Sequence, residues 1–486
     1  MRKTIRNDQR GTTTILGIFS LILALSGCFT PAAASVYYVE AKGSDQGQGT
    51  QSSPWRTVNK ALRSVPPDQG HTIRVGHGSF DLGGKVSVPS GINLIGSGVG
   101  LTIIRGEIQL IGVKNLTISD IKFNGKNHTY ELGMYIRDAN SLLIHNLAFN
   151  AYTKTAINIE RVADSKINNI DITDSTYNNR IVGGGGKQSY AIGLGNLTNV
   201  DFHDINIDTT NRGGQGIHTI NDAWPKDKPW SGKPTVLKNI KLYNLDIKVD
   251  KWNAWGNGWT PQMALELWHY NCYNCEIFNS TFNSTVSLSS FPTEQPTTIR
   301  VHHNLWYGPK NSFYACEVAS NNIEFDHNYI RGGSYPIALF GSNYQNINVH
   351  HNIFENTKSP TLVGHFKGQI NNFQFVNNTV YINESKDPLF RFIKGERANQ
   401  RIRNNIFYNS SGKMNNLLGA SVGIENNLFV NIRPVGSHAM SFNPKFRFEG
   451  SLPSPYYMPK QDSRVVNLGA ILSGTTVWSV GKNSTR

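Results

Sequence analysis

The sequence predicts an all-β fold, a single-stranded right-handed parallel β-helix with a short capping helix at its N-terminal end. Three observations point there: a short polar motif that recurs through most of the chain, a spacing between its copies in the low to middle twenties, and runs of alternating apolar residues without a 3.6-residue period. The motif is a polar residue, usually His or Asn, then Asn or Asp, then alternating apolar positions. It reads Ser119-Asp120-Ile121, His145-Asn146-Leu147, Asn168-Asn169-Ile170, His203-Asp204-Ile205, Tyr243-Asn244-Leu245 and Phe278-Asn279. It continues as His303-Asn304-Leu305, His327-Asn328-Tyr329, His351-Asn352-Ile353, Asn377-Asn378-Thr379, Asn404-Asn405-Ile406 and Asn426-Asn427-Leu428. Successive second positions lie 26, 23, 35, 40, 35, 25, 24, 24, 26, 27 and 22 residues apart. Three short strands and three turns fit one coil of the basic length, at about 3.3 Å per strand residue. Asparagines at stacked turns can hydrogen-bond from coil to coil, and they tolerate left-handed backbone.

Residues 1–34 read as an export leader. Arg2, Lys3, Arg6 and Arg10 make a basic start, and Ile15 to Leu25 an apolar run too short to span a bilayer. Two cleavage signals follow. Leu25-Ser26-Gly27-Cys28 resembles a bacterial lipobox, which would place a lipid anchor on Cys28, and Ala32-Ala33-Ala34 offers a small-residue site before Ser35. The lipobox is the preferred reading, because a lone cysteine has little other reason to sit there. The chain is therefore expected to be exported, either as a lipoprotein of the cell surface or outer membrane or as a secreted protein. Residues 35–486 form the β-helix domain, and no later segment is apolar enough to cross a membrane.

The chain has 47 Lys+Arg against 33 Asp+Glu, a formal net charge of +14. The leader holds four basic residues and Asp8, so the remainder keeps +11. A cationic exported protein favours anionic partners. No nucleic-acid-binding signature and no basic helix is present, so nucleic acid is not among them. We expect a monomer acting on an acidic polysaccharide. Cys272 and Cys275 form a C-x-x-C with no second pair to complete a zinc site, and Cys316 stands alone. Buried packing or one local disulfide is the expected use of all three.

Both ends resemble known proteins. Val36-Tyr37-Tyr38-Val39, Gly43-Ser44-Asp45, Gly49-Thr50, Pro54-Trp55, Thr57 and Lys60-Ala61 look like the opening of secreted β-helix proteins of the pectate-lyase-like superfamily. The tail from Ser454-Pro455 to Val466-Asn467-Leu468-Gly469-Ala470 resembles their closing segment. That resemblance implies a helix over about Val58 to Ser64 that covers the first coil, where an open end would expose sheet edges. It also implies relatives that are polysaccharide lyases acting on alginate and related uronides, with alginate the preferred substrate.

Three consecutive coils are long, and their surplus forms loops at 175–188, 221–235 and 250–262. Insertions on a repeat scaffold usually build its binding face. Trp224, Trp230, Trp252, Trp255, Trp259 and Trp268 lie in or beside the second and third loops, and indole faces stack on sugar rings. Lys226, Lys228 and Lys233 are available to pair with uronate groups. The alternative use of these side chains is to clamp the loops and to solvate them.

Alternation along the strands then selects outward residues. Met263, Leu265 and Leu267 inside put Ala264, Glu266 and Trp268 outside, and Ile217 inside puts His218 outside. Cys316 and Val318 inside expose Glu317. Ile157 and Ile159 inside expose Asn158 and Glu160, and Ile136 inside exposes Tyr135 and Arg137. Tyr190 borders the first loop, although its parity with Ile192 and Leu194 also fits an inward position.

Two chemistries fit one floor. β-Elimination from a uronide needs a group that neutralises the carboxylate, a base for the C5 proton and an acid for the leaving oxygen. His218, Glu266, Tyr190 and Lys228 are the candidate catalytic residues. Lys226, Trp224, Trp259, Trp268, Asp222, Glu317 and Arg137 are the candidate substrate contacts. Some relatives use Ca2+ as the neutraliser, but no cluster of outward aspartates indicates it, and no metal or other cofactor is expected. The alternative is an inverting glycoside hydrolase pairing Glu266 with Asp222 or Glu317. A third reading is a non-catalytic surface protein that binds glycans through the tryptophan loops.

Overall fold

The structure is a computed structural model. It describes residues 33–175, 189–210, 214–220, 234–249, 263–290, 298–307, 314–332, 335–340, 344–356, 362–365, 370–383, 388–391, 400–412 and 423–446. The described chain from Ala34 onward belongs to one compact unit, a right-handed parallel β-helix. Every ladder between its strands is parallel, which coil-upon-coil stacking requires. Cys28, most of each long loop and the tail from Ser454 lie outside the described residues.

The cap forms as expected. The helix Val58–Ser64 begins at Thr57, whose hydroxyl accepts from the Lys60 N–H at 3.1 Å. Val58, Ala61 and Leu62 face the core. Gly49 explains part of the opening motif: with φ at +75°, it lies where an added Cβ would meet the Trp55 ring at 2.6 Å.

Each coil supplies three strand segments, and long strands such as Thr155–Thr173 and Met263–Phe278 run through corners at which the ladder skips a residue, as at Arg161 and Asp164. Inward residues are Ile, Leu, Val and Phe, most of them fully buried. The corners use left-handed backbone, with φ between 49° and 61° at Asp120, Asn146, Asn169, Asp204, Asn244 and Asn279. Amides join several of these corners, as in Asn146 to Asp120 at 3.1 Å and Asn244 to Asp204 at 3.0 Å.

The recurring motif turns out to cover two kinds of corner. Through Asn279 its second residue is left-handed, but from His303 onward the first residue takes that role. The following asparagines, Asn304, Asn328, Asn352, Asn378, Asn405 and Asn427, turn inward and are fully buried. Each one through Asn405 donates its backbone N–H and side-chain amide to the side-chain carbonyl of the next, over 2.7 to 3.2 Å. The spacing of 25 at this point is therefore 24 when counted between equivalent corners, Asn279 and His303.

Cys272 and Cys275 form the local disulfide, and Cys316 is free and buried. No helix among the described residues is long and apolar enough to cross a membrane.

Candidate functional site

Asn158, Gly193, His218, Glu266, Ser287 and Glu317 occupy one register row on six successive strands. Neighbouring strands lie about 4.8 Å apart, so this row forms a continuous floor. Its inward neighbours Ile192, Ile217, Leu265, Val286 and Cys316 are fully buried, which fixes the outward direction of the row.

The centre of the floor is an imidazole–carboxylate pair. His218 Nε2 lies 3.3 Å from Glu266 Oε2, and Gln215 Nε2 donates to the same oxygen at 2.7 Å. Burial opposes ionisation of Glu266, but the His218 imidazole and the bonds from His218 and Gln215 outweigh it and hold the carboxyl below its usual range. Both ring nitrogens of His218 are buried, and among the described residues neither makes a well-aligned hydrogen bond, so the approach of Nε2 to Glu266 is a close polar contact. Thr219 fixes the local register, because its hydroxyl donates to the Trp268 carbonyl at 2.7 Å and accepts from the Trp268 N–H at 2.8 Å.

Tyr190 settles on the floor despite its inward parity. It is the first residue of the strand Tyr190–Leu194. Its ring stacks on His218 with centroids 5.4 Å apart and 15° between planes. Gly193 makes the space: a Cβ there would meet Tyr190 Cε2 at 2.6 Å and Asn158 Oδ1 at 2.3 Å. Burial and the Glu160 charge push the Tyr190 phenol up to about 12, against the pull of a hydrogen bond with Asn158. The phenol therefore keeps its proton at neutral pH.

Two flanking groups complete the described surface. On the N-terminal side Tyr135 donates to Glu160 at 3.1 Å, and Arg137 Nη1 donates to the Tyr135 oxygen at 3.3 Å. On the other side Glu317 lies two strands beyond Glu266, roughly 9.6 Å by strand spacing. Burial, then the Glu266 charge, raises its pKa to about 7, against a hydrogen bond with Ser289.

The fold thus brings His218, Glu266, Tyr190 and Glu317 onto one face. Trp268 is half-buried in register with Ser289 on the same sheet, and Arg137 stands at the near end, one register row over. Lys226, Lys228, Trp224, Trp259 and Asp222 lie outside the described residues. Gln215 and Gly193 join the site without having been selected from sequence, whereas Asn158 lies outward as alternation predicts. Gln215, like Tyr190, opens its strand with the parity of an inward residue, so alternation conceals both. Gly193 left only a glycine within a strand as its signal, which often marks close approach of another group.

No protein-family model matches the chain, and no curated protein sequence does. Among solved structures the chain is similar to the PL6-family alginate lyase AlyGC, with a TM-score of 0.51 and 13% identity over 88% of this chain. It spans 58% of that lyase's length. It is also similar to a tailspike protein of E. coli bacteriophage HK620 in complex with pentasaccharide, with a TM-score of 0.50, 10% identity, and coverage of 79% of this chain and 74% of the tailspike. At these identities the likeness establishes the parallel β-helix fold alone, and chemistry has to be argued from the floor.

Proposed function

We propose that this chain cleaves an acidic, uronate-containing polysaccharide by β-elimination, with alginate the preferred candidate. The observation that carries the reading is the convergence of Tyr190 and the His218–Glu266 pair at one point of the floor. Elimination at a single linkage needs its proton-transferring groups within reach of the same sugar. Tyr190 is the proton donor to the leaving oxygen, since its phenol stays protonated. His218 takes the C5 proton, and Glu266 and Gln215 hold the pair in place. Glu317, with a carboxyl near neutrality, shares a proton with the substrate carboxylate, which stabilises charge developing on the enolate. The positive charge of the chain and the loop residues Lys226 and Lys228 support an anionic substrate. Export, with or without a lipid on Cys28, belongs to the same reading because such polymers lie outside the cell.

A second reading, an inverting hydrolase, draws on the opposite displacement of Glu266 and Glu317, which is how acid and base roles separate. Their strands lie roughly 9.6 Å apart, near the carboxyl separation of about 6.5–9.5 Å used by inverting enzymes, so the product formed decides between the two readings.

The purified chain, incubated with alginate, pectate, chondroitin sulfate and neutral glycans, separates these readings. Elimination yields an unsaturated product that absorbs in the ultraviolet. New reducing ends without that absorbance mean hydrolysis, and retention of the glycan without either product means binding alone.

A further inference from the structure

A different outward face carries a side-chain cluster that the proposed cleavage does not use. Strands Ile299–His302, Ile323–Asp326 and Tyr344–His350 stack in register, so that His302, Asp326 and His350 form one row and Arg300 and Glu324 stand in the row beside it. The left-handed corners that follow are His303, His327 and His351, with rings 5.0 and 5.2 Å apart and within 4° of parallel. In other coils Asn or Asp meets the demands of this corner. Five histidines in three coils exceed what the turn requires.

We propose that Glu324, Asp326 and His350 form a binding site for a divalent transition-metal ion of the zinc class. Their donor atoms all lie within 4.8 Å of one another. Around a tetrahedral ion with bonds of about 2.0–2.2 Å two ligands lie roughly 3.3–3.6 Å apart, so side-chain shifts of about 1 Å, shared among the three residues, close the set. One imidazole with two carboxylates suits a borderline ion. His350 already has the orientation a ligand needs, with its Nδ1 2.7 Å from His351 Nδ1 while its Nε2 contacts Glu324. A ligating imidazole held through its other nitrogen is the usual arrangement around a bound metal.

Arg300 is the internal competitor. Its Nε and Nη2 donate to the two oxygens of the buried Asp326 at 2.8 and 2.7 Å, and His327 Nδ1 meets Asp326 Oδ2 at 2.7 Å. An ion that takes up Asp326 therefore displaces part of the Arg300 fork, whose side chain is 45% exposed and can turn to solvent.

Calorimetric titration of the full chain with Zn2+ tests the site. His350→Val copies Val376, the next residue of the same row, and His303→Asn copies the corner residue Asn377, so the fold itself accommodates both side chains. The wild type and His303→Asn should bind one ion alike, His350→Val should bind at least about a hundredfold more weakly, and Arg300→Gln should bind more tightly. If His350→Val fails to fold, Glu324→Gln should reproduce the loss. The proposal is overturned if the wild type takes up no Zn2+, or if the folded His350→Val or Glu324→Gln variant matches it.

Discussion

Replacing Glu317 by Gln tests the electrostatics of the floor most directly. Burial and the charge of Glu266 raise the Glu317 pKa from an ordinary 4.5 to about 7. A carboxyl that holds its proton more tightly in the folded state favours folding fully below the unfolded pKa. That contribution is lost as pH rises through the folded one, so the relevant window runs from about 4.5 to about 7. The displacement corresponds to roughly 3 kcal/mol, and contact of the carboxylate with solvent reduces it. Glutamine preserves the shape and removes the titration. Urea unfolding at about pH 4 should therefore find wild type and variant alike, whereas at about pH 9 the variant should be the more stable by about 1–3 kcal/mol. Replacing Glu266 by Gln removes the like charge. In that background the Glu317 pKa should fall, so the window should close at a lower pH and the total loss should shrink. Equal unfolding midpoints for wild type and Glu317→Gln across the whole range would refute the reasoning.

Other substitutions probe the same architecture. Glu266→Gln and His218→Ala should each lower turnover at least about a hundredfold in the ultraviolet assay while circular dichroism stays unchanged; near-normal activity in both would put the cleft elsewhere. Gly193→Ala places a methyl 2.6 Å from Tyr190 Cε2, so it should cost turnover about tenfold or more by displacing the phenol, visible as altered tyrosine fluorescence in a folded protein. Asn352→Ala strips partners from the Asn328 backbone N–H and from the Phe325 carbonyl, and should destabilise the coil by more than about 2 kcal/mol in denaturant titration.

The scaffold was legible because a solenoid repeats its constraints. Left-handed corners recur in every coil, Asn or Asp usually satisfies them, and the spacing of Asp120, Asn146 and Asn169 therefore reports coil length directly. The outward placement of His218, Glu266 and Glu317 followed from alternation for the same reason. Tyr190 and Gln215 escaped that logic, since a strand's first residue is held by only one flanking pair and its side chain can leave the alternating pattern. The cluster around Asp326 escaped too. Three of its histidines, His303, His327 and His351, share the corner motif, so sequence assigns them to the turn, and only the stacking of coils shows Glu324 beside His350.

Stacking also explains why a mixed row carries chemical meaning in this fold. When identical residues follow one another from coil to coil, they can satisfy each other, as the inner asparagines do from Asn304 to Asn427. A row of identical carboxylates cannot do so, because like charges at strand spacing repel. The floor row contains Asn158, Gly193, His218, Glu266, Ser287 and Glu317, with no two successive residues alike. Such a row gains nothing from the ladder that stabilises the rest of the solenoid, and it leaves Glu317 ionising at a cost. Stability alone would favour replacing Glu317 with a neutral side chain. Retaining it makes sense where a carboxyl near neutrality is used, and the polymer assay on Glu317→Gln asks whether the stability gained comes with cleavage lost.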